Sequence, residues 1–274
     1  MNIRRFAVCL CFLFATEFVA MTSANADETL TLRVFAYRPD DVLRERYQPL
    51  TDYLTLETGI QIELEILNQE NMSRAIAANR LDFFLTNPSH FLLIRSERSL
   101  TGVLATLVRR SGQSATGSLG GVIFTRAERD DIEQLADIRD KTIASPGVHF
   151  LGGYQTQVLE LMDASIDIRR VNLIRFMGTH DRVVRSVLSG DADVGFIRTS
   201  ILEQMAQEDP DLFTRVKVLN RQRLAGFPYV VSARLYPEWP VVALPHVNER
   251  AVRRIASALF AIEPEDEVAL SVGI

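Results

Sequence analysis

Apolar and polar positions fall into two recurring patterns, short branched runs and stretches with apolar residues three and four apart. Residues 30–37 (LTLRVFAY) are rich in branched and aromatic side chains and predict a buried strand. Beyond Pro39 a helix is expected to about Glu57, with Leu50, Tyr53, Leu54 and Glu57 on one face and Gly59 as its stop. Pro49 must then sit in the first helical turn or kink that helix. Residues 60–67 (IQIELEIL) alternate as a second strand, and 71–79 read as a short helix. Strands at 81–85 and 103–108 flank a helix at 88–96. Such alternation predicts parallel crossover units with helices on both sheet faces.

Residues 111–121 (SGQSATGSLGG) interrupt the rhythm. With four glycines and three serines in eleven positions, the segment reads as a flexible crossing or loop. A second alternating set follows. Strands are expected at 122–125, 142–145, 173–177, 193–197, 215–219 and 227–233, and helices at 132–138, 154–162, 181–188, 200–207 and 249–261. The halves share a style of building without a sequence repeat. The expected architecture is an α/β protein of two similar lobes with a ligand cleft between them.

Composition narrows the function. Of 274 residues, 47% are hydrophobic and 24% are charged, as suits a folded globular chain. The formal net charge of −5 argues against a broad nucleic-acid footprint. Both cysteines, Cys9 and Cys11, lie near the N-terminus, where Arg4 and Arg5 precede a ten-residue apolar run at 6–15 (FAVCLCFLFA). Ala24-Asn25-Ala26 supplies a small-x-small cleavage pattern, so residues 1–26 are expected to be a secretory signal peptide. The run is too short for a membrane anchor, which needs roughly 20 residues. The mature chain from Asp27 then has no cysteine, needs no disulfide in the periplasm, and contains no run that would embed it in a membrane. Only Lys141 and Lys217 are lysines, so a cation facing a ligand here is usually a planar guanidinium suited to oxyanions.

Ligand groups in such folds sit in loops at the carboxyl ends of strands. Five loops qualify: Tyr37-Arg38; Thr86-Asn87-Pro88-Ser89-His90; residues 145–154, with Phe150, Gly152, Gly153 and Tyr154; Gly178-Thr179-His180-Asp181; and Arg198-Thr199-Ser200. Each has a structural alternative. Asn87 and Pro88 suit a helix start, Thr179 or Asp181 a helix cap, and Gly152-Gly153 a tight turn. Arg198, directly after a buried strand, needs either a partner or a solvent-filled cleft. The expected contacts are charge-assisted bonds from Arg38 and Arg198, and polar ones from Thr86, Asn87 and His90. Gly152 to Tyr154 would supply backbone donors, and Phe150 or Tyr154 a shield. No nucleophile elbow, zinc-protease, dinucleotide or phosphate-loop motif occurs, and the four histidines lack metal-ligand spacing. The expectation is a binding protein and not an enzyme, with no cofactor or metal; a secreted hydrolase is the competing class.

Several segments in order and spacing carry a resemblance. They are Val34-Phe35-Ala36-Tyr37-Arg38, Tyr47-Gln48-Pro49-Leu50, the run 81–90, the run 120–126, the run 187–195, Arg198-Thr199, and Leu235-Tyr236-Pro237-Glu238-Trp239-Pro240. Over nearly its full mature length the chain resembles the phosphonate/phosphite-type periplasmic substrate-binding proteins, most of all the sensor region of tetrathionate-sensor-type histidine kinases. The resemblance implies a type II periplasmic-binding-protein fold with two hinge-crossing strands. It puts lobe 1 at 27–117 and 226–274, and lobe 2 at 118–225. Transporter members hold phosphonate with a Ser/Thr-rich turn; here Val148-His149-Phe150-Leu151-Gly152-Gly153 has no such hydroxyls, leaving backbone N–H groups for another oxyanion. Implied partners are a small anionic ligand and either a membrane sensor kinase of a two-component system or an ABC permease. Sensor kinases of this type continue into a membrane helix and a kinase domain. A stand-alone binding protein, or a sensor separate from or cut before its transmitter, is therefore expected.

Overall fold

The computed structural model describes residues 29–170 and 173–274; the expected signal peptide lies outside them. The first lobe is built on β1 (Thr29–Phe35), β2 (Gln61–Leu67), β3 (Phe83–Leu85) and β4 (Gly102–Thr106), with α1 (Asp40–Thr58), α2 (Gln69–Ala77) and α3 (Pro88–Glu97) between them. On α1 the buried stripe is Leu43, Tyr47, Leu50, Leu54 and Thr58, and Glu57 faces solvent. Gly59 closes α1 at φ 62°, its N–H reaching the Thr55 carbonyl at 2.9 Å. Pro49 lies inside α1, not in its first turn.

The glycine-rich segment 111–121 is not the loose crossing its composition predicts. β5 (Arg109–Ser111) and β6 (Ser114–Thr116) form a hairpin, and β7 (Ser118–Leu119) leads into β8 (Gly121–Arg126). The second lobe continues through β9 (Thr142–Ser145), a π-helical turn (Leu151–Gln155), α4 (Thr156–Asp163), β10 (Leu173–Phe176) and α5 (His180–Leu188). It ends with β11 (Val194–Arg198), α6 (Ile201–Glu208), α7 (Leu212–Arg215) and β12 (Val216–Leu219). The return segment holds β13 (Tyr236–Pro237), β14 (Pro240–Ala243), α8 (Glu249–Phe260) and α9 (Glu267–Val272).

Neither sheet is all-parallel. Their orders are β2-β1-β3-β14-β4 and β10-β9-β11-β8-β12, and each joins a parallel trio to one inverted strand, β14 or β8. Each inverted strand follows a passage of the chain between lobes, which is why strand–helix counting misses the inversion. The two passages run side by side: β7 pairs antiparallel with β13, Leu119 opposite Tyr236. The strand expected at 227–233 does not form. Pro228 has no N–H to give a ladder, and the Ser232 hydroxyl instead donates to the Leu219 carbonyl at 2.7 Å and accepts from Ile123 N at 2.9 Å. β14 was missed because a proline heads it. In β11, Val194 and Phe196 join Ile123 and Ile143 in one apolar cluster, while Ile197 joins Val122 and Phe124 in the other, as period-two alternation requires.

Candidate functional site

The ends of β1 and β11, the start of α5 and the β13–β14 junction meet where the lobes face one another. Phe35, Tyr37 and Trp239 come from the first lobe and its return segment, and Phe150 and His180 from the second. Ring centroids lie 5.0 Å apart for Phe35–Phe150, 5.7 Å for Phe35–Trp239, 4.9 Å for Tyr37–Trp239 and 5.5 Å for Phe150–His180, all edge-to-face. The Arg198 guanidinium stands 5.4 Å from the Trp239 ring and 5.9 Å from Tyr37, within cation–π range.

Both cleft arginines are buried and already paired. Arg198 Nη2 donates to Glu238 Oε1 at 2.5 Å, and Arg38 Nε lies 3.0 Å from both carboxylate oxygens of Asp181 on the opposite lobe. The His180 N–H donates to the Tyr37 carbonyl at 3.1 Å, beside that pair. Gln204 on α6 accepts from Arg46 at 2.9 Å and Arg38 at 3.5 Å, and its amide donates to Ser200 at 3.0 Å. Ser200 itself sits at φ 72°, a strained conformation for a residue with a Cβ, directly after Arg198-Thr199. The lobes are therefore joined by bonds made within the chain.

Positive charge gathers in this region. Arg38 pairs with the buried Asp181, Arg198 and more distantly Arg109 with the buried Glu238, while half-buried Arg46 donates to Gln204 and Tyr37; Glu203 is mostly buried, and Glu208, 3.8 Å from Arg38, is mostly solvent-exposed. Tyr37 registers it. Burial pushes its phenol up, but Arg46, Arg109, a hydrogen bond with Tyr47 and Arg198 outweigh that and bring it down to about 7. Tyr47, 3.5 Å away, is held up by its burial and by the Tyr37 charge, so one proton leaves the pair first. A folded-state value below the ordinary one means this stability contribution is complete above about 10 and lost as pH falls through about 7. We expect a tyrosinate absorbance step near pH 7 that disappears in Tyr37→Phe; titration of every tyrosine only near 10 would refute it.

The other sequence-derived candidates divide. Asn87 caps α3, its Oδ1 accepting from His90 N at 3.1 Å, while its buried Nδ2 has no hydrogen-bond partner among the described residues. Pro88 is the first residue of α3, so the capping and site readings of this loop coexist. Thr86 Oγ1 and Ser73 Oγ bracket the His90 ring at 2.8 and 2.9 Å. A serine beside a histidine suggests a nucleophile and its base, but Thr86 stands where a carboxylate would be needed. Burial, aided by His149, also lowers His90 to about 4, making it a poor base at neutral pH. His180 is likewise held neutral by burial and by Arg198 and Arg38, and its Nδ1 has no partner among the described residues.

Gly152 and Gly153 allow close approach. A Cβ on Gly152 would lie 2.8 Å from Arg198 Cβ and 3.0 Å from the Gly120 carbonyl, and one on Gly153 would lie 2.6 Å from His180 Cε1. One expectation needs correction. Tyr154 does not shield the cleft; its ring packs edge-to-face on Phe176 at 5.7 Å. Thr199 ties the end of β11 to Gly120, its N–H donating to the Gly120 carbonyl at 3.0 Å and its hydroxyl accepting from Gly120 N at 3.1 Å. Thr179 is a cap, accepting from Arg182 N.

Glu238, Trp239, Arg46 and Arg109 were missed as site residues, and Asp181, placed in a candidate loop with a helix cap as the alternative, was not recognised as the partner of Arg38. One signal was available: a buried Arg198 demands a buried carboxylate, and Glu238 is the lone charge in the apolar run 235–244. Arg109 is placed by the hairpin that glycine content concealed. Among the described residues no group of three or more histidine, aspartate or glutamate side chains is placed to hold a metal, and no helix is long and apolar enough to cross a membrane.

Residues 32–272 match the family model described as the phosphonate ABC transporter periplasmic substrate-binding protein. The chain belongs to this family. It is 27% identical over 237 residues to the tetrathionate sensor histidine kinase TtrS of Salmonella typhimurium, covering 85% of this chain and 39% of the kinase. The chain thus spans about two-fifths of that relative. It is 21% identical to the phosphate-import protein PhnD of Mycolicibacterium smegmatis, covering 79% of this chain and 70% of that protein. Among solved structures, PhnD1 of Prochlorococcus marinus bound to methylphosphonate aligns with a TM-score of 0.73 at 14% identity, covering 90% of this chain and 89% of that one. A phosphonate-transporter binding component from Pseudomonas aeruginosa gives a TM-score of 0.75 at 13% identity, covering 90% and 80%. Family members are substrate-binding proteins, and the α/β two-lobed architecture is theirs.

Proposed function

We propose that this chain is a periplasmic solute-binding protein that captures a small oxyanion between its lobes and serves as the sensory input of a two-component system. One observation carries the reading: Nη1 of Arg198 is buried with no hydrogen-bond partner among the described residues, in a cleft where positive charge gathers. Nδ2 of Asn87, from the other lobe, is in the same condition. A buried donor without an acceptor costs roughly 1–3 kcal/mol, more when charged, and an oxyanion held by Arg198 would relieve that cost. Micromolar affinity is about 8 kcal/mol, within reach of four or five charge-assisted bonds at roughly 1.5–3 kcal/mol each. The extensive likeness to a sensor kinase favours signalling. The family's transporters and the import-protein relative support a second reading, delivery of the anion to an ABC permease.

Calorimetry of the purified chain with tetrathionate, phosphate and methylphosphonate tests the site. We expect Arg198→Ala to weaken whichever anion binds at least tenfold, about 1.4 kcal/mol. Unchanged affinity in a folded variant would remove Arg198 from the site. In the source organism, loss of the chain should abolish anion-induced transcription for a sensor, or anion uptake for a transporter.

A further inference from the structure

Glu238 stands between two guanidiniums that serve different parts of the molecule. Its Oε1 lies 2.5 Å from Nη2 of Arg198, at the end of β11, and 4.0 Å from Nε of Arg109, at the start of β5. Its Oε2 accepts from the Trp239 N–H at 3.1 Å, which anchors one oxygen and leaves the other able to swing. Arg109 Nε is buried without a hydrogen-bond partner among the described residues, as is Arg198 Nη1. Oε1 can come within hydrogen-bonding distance of either arginine, and it now serves Arg198.

The remaining nitrogens of Arg109 are committed elsewhere. Nη1 donates to the carbonyl of Val272, the last residue of α9, at 2.8 Å, and Nη2 donates to the Tyr47 hydroxyl at 3.2 Å. Tyr47 in turn is 3.5 Å from the Tyr37 hydroxyl beneath Arg198. Arg109 thus clasps the end of α9 from below the cleft.

We propose that Glu238 is a two-position carboxylate that reports occupancy of the cleft to helix α9 through Arg109. The inference rests on the anion-binding reading, in that the guest competes with Glu238 for Arg198. Once the guest takes that guanidinium, Oε1 moves about 1 Å to hydrogen-bonding distance from Arg109 Nε. That contact orients Arg109 and tightens its hold on Val272. In the present position Oε1 satisfies Arg198 and leaves Arg109 Nε without a partner, and in the other the guest takes over Arg198, so the cleft and α9 each bias the same two-state element. Arg109 and Glu238 are positioning residues.

Hydrogen exchange of the full chain tests this without knowledge of the ligand. Arg198→Met removes the competing cation, so the amides of Leu270, Gly273 and Ile274, which donate to carbonyls at 266 and 269, should exchange at least threefold more slowly. The double variant Arg198→Met with Glu238→Gln should return to the wild-type rate. Unchanged exchange in folded Arg198→Met overturns the relay. Arg198→Gln, which also removes the competing cation, takes its place if the methionine variant does not fold, with the same slowing expected. Tetrathionate, phosphate and methylphosphonate are then added to the wild-type chain. An anion that gives binding heat but leaves α9 exchange unaltered overturns the relay while the site stands. Slowing in Arg198→Met with no heat from any of the three keeps the relay and removes the anion reading.

Discussion

Asp181→Ala is expected to lower the free energy of unfolding by about 3–5 kcal/mol, because it strands the Arg38 guanidinium in a buried position. Side-chain exposure is 3% for Arg38 and 2% for Asp181, so neither charge regains water when its partner goes. A surface pair would cost at most about 1 kcal/mol, and exposure decides between the two values. Asp181→Asn, which keeps an acceptor oxygen of similar shape, should lose less. The pair also joins the lobes, so the alanine variant should show a larger radius of gyration in solution scattering. Urea unfolding within about 1 kcal/mol of wild type would mean that water reaches Arg38 and that this contact does not hold the lobes together.

Trp239→Ala is the second large effect, a loss of about 3–5 kcal/mol. The indole is 2% exposed and touches the Phe35 and Tyr37 rings and the Arg198 guanidinium at once. Truncation leaves a cavity between the lobes and removes the face over which the cation sits. Trp239→Phe retains a ring and should lose markedly less. Thermal unfolding followed by circular dichroism measures both, since the chain has a single tryptophan and the variants lose its fluorescence. Equal losses for alanine and phenylalanine would refute edge-to-face ring packing as the source of the stabilisation.

Most of the fold was legible because hydrophobic periodicity reports which faces are buried. Residues 142–145 read as a strand and form one, and the helices at 40–58 and 180–188 lie within a residue or two of their expected bounds. Strand direction was not legible. β8 and β14 have the composition of any buried strand, and only their partners in space reveal that they run against the trio beside them. The site was half legible for a related reason. Arg38 and Arg198 stood out as charges at the ends of buried strands, but their partners Asp181 and Glu238 are 143 and 40 residues distant, and no local pattern records such a pairing. Gly152 and Gly153 suggested backbone donors by analogy with anion-binding turns. In the structure their small size serves the approach of Arg198 and His180.

The position of β14 has a consequence for how the chain is assembled. The second sheet is made from one continuous stretch, 121–219, and can close as soon as that stretch has been synthesised. The first sheet has a gap between β3 and β4 until Pro240–Ala243 arrives, since Val241 must pair with Leu85 on one side and Ala105 on the other. During synthesis the N-terminal half therefore waits for the C-terminal end with two strand edges open.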